Sequence, residues 1–240
     1  MAKSSLRADD VKQSDIVSQF LDKYFYCNAT NFERVTDKEE RVNKTLTLLG
    51  EMLQISTPRR IESFDISNIS GTDIVGSMVV FHDGRPKKSD YKRFQIKELD
   101  GQDDYASMQQ VLLRRFTHYM NGDEGFCEEP HLLLIDGGIT HACTAVQVLQ
   151  ELGLSFPVFG MVKDGRHRTR ALVTPEGNEI SIDSNQSVFS FIGNIQEETH
   201  RFAIGYHKAR RTKSMLESKL LEIEGIGQQK AKNLIKHFKT

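Results

Sequence analysis

HLLLIDGGITHA, residues His131 to Ala142, sets four apolar residues in a row, Leu132 to Ile135, and then ends on an aspartate and two glycines. A run without polar alternation reads as a strand covered on both faces, the pattern of a parallel sheet. Its flanks agree. Before it, DDYASMQQVLLRRFTHYM has helical periodicity with Asp103 placed to cap it. After it come a helix over about 140–152 and the apolar strand PVFGMVK, 157–163. Helices alternating with strands are the signature of parallel crossovers. Asp136 then stands at the carboxyl end of a parallel strand, where open α/β sheets gather their ligands.

Upstream the period is that of strands. RIESFDIS (60–67), TDIVGSMVVFHDG (72–84) and SDYKRFQIKEL (89–99) are short runs rich in Ile, Val and Phe, joined by short connections. They predict an antiparallel meander whose third strand is half exposed. In the first, Ile61, Ser63 and Asp65 share one face and Phe64 and Ile66 the other. Downstream, ALVTPEGNEISI predicts a hairpin around Pro175-Glu176-Gly177, and a long helix follows from about Ser187 to Arg211. The tail, LESKLLEIEGIGQQKAKNLIKHF, reads as helix, Gly-Ile-Gly turn, helix. An antiparallel meander followed by parallel crossovers is the plan of a ribonuclease-H-like α/β fold, a mixed sheet flanked by helices. The expected divisions are an N-terminal helical segment over 1–59, the α/β domain over 60–212 and a helix-hairpin-helix element over 213–240.

Composition narrows the function classes. The chain has 240 residues, 38% of them hydrophobic, with a formal net charge of −1. Near-neutrality excludes a blanket polycation on nucleic acid, but not local basic patches. Cys27, Cys127 and Cys143 are odd in number and lack metal-ligand spacing, so reduced thiols in a cytoplasmic protein are expected. No stretch approaches the ~18 apolar residues of a membrane span. The start has no apolar signal-peptide core, so the sequon at Asn28 is expected to carry no glycan.

Asp65 and Asp136 carry the chemistry if their strands pair. An unpaired carboxylate among apolar residues is costly to bury, and two together repel unless a divalent cation lies between. Oxygen ligands suit Mg²⁺ or Mn²⁺, and a metal so held serves phosphoryl-group chemistry. His200, in IQEETHRFAI, is the third participant: histidine can shuttle protons or complete a metal site. Glu197 lies three residues before it on the same helix face, and Glu198 is a further acidic neighbour. Taken singly, an aspartate before Gly-Gly is an ordinary turn former. A phosphotransferase lacks support, because no glycine-rich loop with a lysine is present.

RIESFDISNISGTDIVGSMVVFHDGRPKKSDYKRFQI, DGGITHACTAVQVLQELG, VFGMVKDGRHRTRAL, IQEETHRFAIGYHKARRTKS and LLEIEGIGQQKAKNLIKHF, in this order, resemble the endonuclease half of UvrC, the excinuclease C subunit of bacterial nucleotide excision repair. The resemblance implies a ribonuclease-H-like domain that cuts damaged DNA 5′ to the lesion beside the excinuclease B subunit. It also implies an Asp-Asp-His set on Asp65, Asp136 and His200. The family's usual Gly-Gly-Lys-Gly-Gln is Gly137-Gly138-Ile139-Thr140-His141 here, and an arginine common before the acidic pair is Gln196. The family's 3′-cutting domain and second helix-hairpin-helix are not seen in this chain. The non-catalytic alternative is a DNA-binding module that keeps the fold.

DNA contacts are expected from Gly225 and Gly227, where a backbone without side chains lets amides approach a phosphate, and from Lys230 and Lys232 beside them. Two basic clusters add Arg168 and Arg170 in KDGRHRTR, and Arg210 and Arg211 in HKARRTK. Such contacts are independent of base sequence. Lys163 ends a parallel strand and is placed to offset charge on the scissile phosphate.

Overall fold

The computed structural model describes residues 37–69, 73–96, 103–165 and 168–238, with the backbone alone at 68–69, 73, 206–214 and 238. The chain divides into two units, 1–44 and 45–240, and everything below except the first residues of α1 belongs to the second. The first predicted helix, before residue 37, lies outside the described residues. The second is present as α1 over 37–53, with Leu46, Leu49 and Leu53 buried.

Among the described residues eight strands form one mixed sheet: β1 (Arg60–Ile69), β2 (Asp73–His82), β3 (Arg85–Pro86), β4 (Lys92–Gln95), β5 (Leu132–Asp136), β6 (Val158–Lys163), β7 (Thr169–Val173) and β8 (Glu179–Ser181). Their order is β3-β2-β1-β5-β6-β7-β8, with β4 also on β2. β1, β5 and β6 run parallel and the remaining pairs antiparallel. Of the third strand expected over 89–99, Lys92–Gln95 form β4 on Val75 to Met78, a 3₁₀ turn over Lys88–Asp90 takes its start, and 97–99 lie outside the described residues. A short β3 ahead of it pairs with Phe81 and His82.

α2 (Asp104–Met120) and α3 (Gly138–Glu151) close one face of the sheet. Asp103 caps α2 through its side chain, accepting from the amides of Tyr105 and Ala106, as expected. The main core lies under these helices and includes Phe64, Met78, Val80, Met108, Leu112, Phe116, Leu133, Ile135 and Ala145. Gly76 permits the approach of α2, because a Cβ there would stand 2.2 Å from a Val111 methyl.

Residues of the opposite parity, among them Ile61, Ser63, Asp65, Leu134 and Asp136, face α4 (Gln186–Leu221). The helix is anchored by a buried stripe of Val188, Ile192, Ile195, Thr199 and Ala203 at helical spacing. At 36 residues it is longer than the expected helix, continuing past Arg211 to Leu221. No proline interrupts it, so the fold shows no break at the expected 212/213 boundary. A turn then leads to α5 (Gln228–Phe238), whose Ala231 and Ile235 are buried and which packs on α4.

Buried charge marks the start of β1. Glu62 is fully buried, accepts Nε and Nη2 of Arg115 at 3.0 and 2.7 Å, and accepts Nε of Arg60 at 3.1 Å. Arg60 continues to Asp90 and Glu128, both at 2.7 Å, and Arg115 also donates to the carbonyls of Phe126 and Glu128. Every charge in this group is thus paired and hydrogen-bonded, the condition for tolerating it inside a fold. It ties α2 to β1, the strand that carries Asp65.

Candidate active site

Adjacency of β1 and β5 decides the site. Their register pairs Phe64 with Ile135, so the next residue along each, Asp65 and Asp136, are neighbours on the α4 face, Asp136 at the carboxyl end of β5 and Asp65 within β1. Asp65 is buried, and its Oδ2 has no hydrogen-bond partner. Burial first, and the Asp136 carboxylate second, push the Asp65 carboxyl up to about 7, and in its protonated form it donates to Asp136. Asp104, at the start of α2, raises it further through its charge. Ser77, opposite Asp65 on β2, is likewise buried with a partnerless hydroxyl.

Lys163 reaches this pair. Its Nζ lies 2.8 Å from Oδ1 and 2.9 Å from Oδ2 of Asp136. A register shift between Val162 and Lys163, where β6 meets β7, marks a bulge of the kind that re-aims a side chain next to a site.

The Asp136 turn is built on glycine. Gly137 and Gly138 have φ of 137° and 69°, a region that side chains rarely adopt. Gly160 on β6 leaves room for this turn, because a Cβ there would stand 2.3 Å from the Gly138 carbonyl oxygen. Gly160→Ala is expected to destabilise the protein by about 1–3 kcal/mol and to shift the turn that carries Asp136. Urea unfolding, with the nicking rate measured beside it, checks this.

Two polar contacts set α4 over the carboxylates. The Thr199 hydroxyl meets Ser63 Oγ at 3.0 Å and the Ile195 carbonyl at 2.7 Å. Gln196 Oε1 accepts from the Thr169 amide at 2.8 Å and its hydroxyl at 2.6 Å. His200 follows Thr199 and is exposed. With Asp136, Lys163, Arg168, Thr169, Phe189, Gln196 and Glu197 it lines a cavity of about 700 Å³ between α4 and the ends of β5, β6 and β7. Glu198 takes a different place. It accepts from Tyr91 Oη at 3.0 Å and Arg201 Nε at 2.7 Å, and Arg201 holds its carboxyl below the usual range. It lines a second hollow, against β2 and β3.

Among the described residues no three His, Cys, Asp or Glu side chains stand close enough together to hold a metal ion. His200 shares a cavity with Asp136 without closing on the two aspartates. The aspartates alone nonetheless suit a small hard cation, which takes one or two carboxylates and completes its shell with water and substrate phosphate. A partnerless buried carboxylate oxygen beside a second carboxylate is the feature that fits.

The expected DNA contacts are scattered. Arg168 lines the cavity and its amide donates to Asp164 Oδ1 at 2.9 Å. Arg170 pairs with Glu179 at 3.0 Å across β7 and β8. At the α4–α5 turn Gly225 has φ 85°, and Lys230 Nζ donates to its carbonyl at 3.1 Å. Gly227 and Lys232 are exposed there. The side chains of Arg210 and Arg211 lie outside the described residues. The sequence reading missed Thr199, Gln196 as a Thr169 partner, and Asp104. Thr199 had a signal, a hydroxyl on an otherwise apolar helical stripe.

The family model of the UvrC RNAse H endonuclease domain matches residues 50–204. UvrABC system protein C of Thermoanaerobacter pseudethanolicus is 47% identical over 215 residues, 84% of this chain and 35% of that protein. The protein of the same name from Lachnospira eligens is 45% identical over 212 residues, 86% of this chain and 34% of that one. The chain spans about a third of the length of these relatives. Among solved structures, human ENDOV is 17% identical with a TM-score of 0.34, covering 51% of this chain and 61% of that one. Ciona intestinalis Endonuclease V in complex with DNA is 14% identical with a TM-score of 0.33, covering 55% and 58%. No described helix is long and apolar enough to cross a membrane. The model match over well over half of the sequence and the relatives' identity over more than four-fifths of it make this chain a member of the UvrC RNase H endonuclease domain family.

Proposed function

We propose that this chain is a metal-dependent DNA endonuclease that makes the incision 5′ to a lesion in bacterial nucleotide excision repair, by phosphodiester hydrolysis. The observation that carries the reading is the Asp65–Asp136 pair on adjacent parallel strands, with one buried carboxylate oxygen left partnerless. Asp65 and Asp136 would hold Mg²⁺ or Mn²⁺. Bound there, such an ion supplies charge stabilisation on phosphate oxygens and a more acidic water.

The chain's own groups do the rest. Lys163, on Asp136, offsets negative charge where the scissile phosphate arrives. His200, on the rim of the same cavity, gives or takes the proton at the oxygens that enter and leave. Glu197 beside it orients the ring. Arg168 and, at the far turn, Gly225, Gly227, Lys230 and Lys232 hold the phosphate backbone without reading bases. The excinuclease B subunit, seated on the damaged duplex, is the partner that delivers the strand in the cytoplasm.

The test is an end-labelled damaged duplex preloaded with excinuclease B, to which this chain is added with Mg²⁺, with Mn²⁺ or with chelator. A metal-dependent cut 5′ to the lesion is expected. Tight DNA binding with no cut under any metal would replace this reading with that of a non-catalytic DNA-binding module.

A further inference from the structure

Six large apolar side chains among the described residues are well exposed, and two of them flank the Asp136 turn: Tyr105, 48% exposed, and Ile139, 43%. Tyr105 is the one aromatic ring of the six. It lies in the first turn of α2 against His141 in the first turn of α3, with ring centroids 4.8 Å apart and planes tilted by 35°.

His141 is fixed in place. Its Nδ1 lies 2.9 Å from the Gly137 carbonyl oxygen. A carbonyl only accepts, so Nδ1 carries the proton and Nε2 is left as the ring's second polar atom. The ring occupies the space a side chain at residue 137 would need, since a Cβ there would stand 2.2 Å from Nδ1. The aromatic pair therefore rests on the residue after Asp136.

The pair is not needed to join the two helices. Met108 and Leu112 of α2 and Ala142 and Ala145 of α3 already share one buried core. An exposed aromatic pair beside a phosphodiester site, held at a set angle by a backbone hydrogen bond, is suited to a flat apolar ligand attached to a phosphate. We infer that Tyr105 and His141 form a stacking platform for an unstacked nucleobase of the strand held at Asp65 and Asp136. The inference rests on the reading of that pair as a phosphodiester site. Every base has a π face, so the platform takes any base, as suits an enzyme directed by damage. Ile139, whose Cδ1 would lie 3.2 Å from a Cβ on Gly177 of the β7–β8 turn, adds an apolar edge.

The experiment uses the whole chain in chelator, so that binding is read without cutting. The probe is a short single-stranded oligonucleotide carrying the fluorescent base 2-aminopurine, followed by anisotropy and by quenching of the base. Wild type is expected to bind and to quench. Tyr105→Ala is expected to lose the quenching and to bind roughly ten- to a hundredfold more weakly, the scale of one base stacked on one ring. Tyr105→Phe is expected to match wild type, since it keeps the ring and loses only the hydroxyl. Equal binding and quenching by wild type and Tyr105→Ala overturn the platform and leave the nuclease reading standing, as does a Tyr105→Phe variant as weak as the alanine one. Failure of wild type to bind the probe also overturns the platform, while the nuclease reading stands or falls separately on the cut made with excinuclease B. Should Tyr105→Ala fail to fold by circular dichroism, His141→Leu asks the same question with the same two readouts.

Discussion

Asp136→Ala is expected to lower the nicking of supercoiled plasmid by roughly 10³-fold or more, the scale on which a metal's charge stabilisation of several kcal/mol acts. Asp65→Ala is expected to do the same. The double variant is expected to lose no more than either single one, because groups that hold one ion act as a unit. The folds should survive. Asp136 lies at a strand end, and the Lys163 side chain it leaves behind is 36% exposed and free to hydrate. Removing Asp65 takes a partnerless buried oxygen out of the protein. The assay belongs at low salt with Mn²⁺ or Mg²⁺, since binding driven by phosphate contacts falls steeply as salt rises. Far-UV circular dichroism of each variant separates a lost site from a lost fold. Nicking by Asp136→Ala at the wild-type rate would remove the assignment.

The reason this pair was legible in the sequence is geometric. Leu132 to Ile135 has no alternation, so β5 had to be covered on both faces, and a strand of that kind places its last residue at the carboxyl edge. Once β1 lies parallel beside it, period-two alternation puts Ser63, Asp65 and Asp136 on one face. The capping of α2 by Asp103 and the β7–β8 hairpin were legible for similarly local reasons.

What was not legible depends on contacts between distant residues. Glu62, in the alternating stretch RIES, looks like a solvent-facing residue, yet it is fully buried because Arg60 and Arg115 are buried with it. Nothing local to residue 62 announces an arginine 53 positions later. The grip of Lys163 on Asp136 depends on a bulge, and a bulge is a property of strand pairing. Glu197, Glu198 and His200 sit within one turn, and the helical period does separate them. His200 lines the Asp136 cavity, Glu198 turns to Tyr91, and Glu197 lies between the two hollows and lines both.

The same burial that marks Asp65 makes the metal-free protein sensitive to pH in a particular direction. An ordinary aspartate loses its proton near 3.8, whereas in the fold Asp65 keeps it up to about 7. Below 3.8 both folded and unfolded chains carry the proton, and the group imposes no penalty. Between 3.8 and 7 the unfolded chain releases it while the folded chain does not, so stability falls with rising pH across that window, by about 1.4 kcal/mol per pH unit. Above 7 the loss is complete. Asp65→Asn removes this titration while keeping the shape. In chelator the variant is therefore expected to be more stable than wild type by roughly 4 kcal/mol above about pH 8, and the advantage should shrink to nothing near pH 4. Mg²⁺ or Mn²⁺ should reverse the order at high pH, because an ion that binds the folded chain stabilises it by mass action and the neutral amide of the variant is a poorer ligand than a carboxylate. Urea unfolding at a series of pH values, with and without metal, measures all of this. A stability difference that does not change between about pH 4 and pH 9 would show that Asp65 is ionised at neutrality in the metal-free protein. The paired carboxylates would then be accommodated by Lys163 alone, with no shared proton between them.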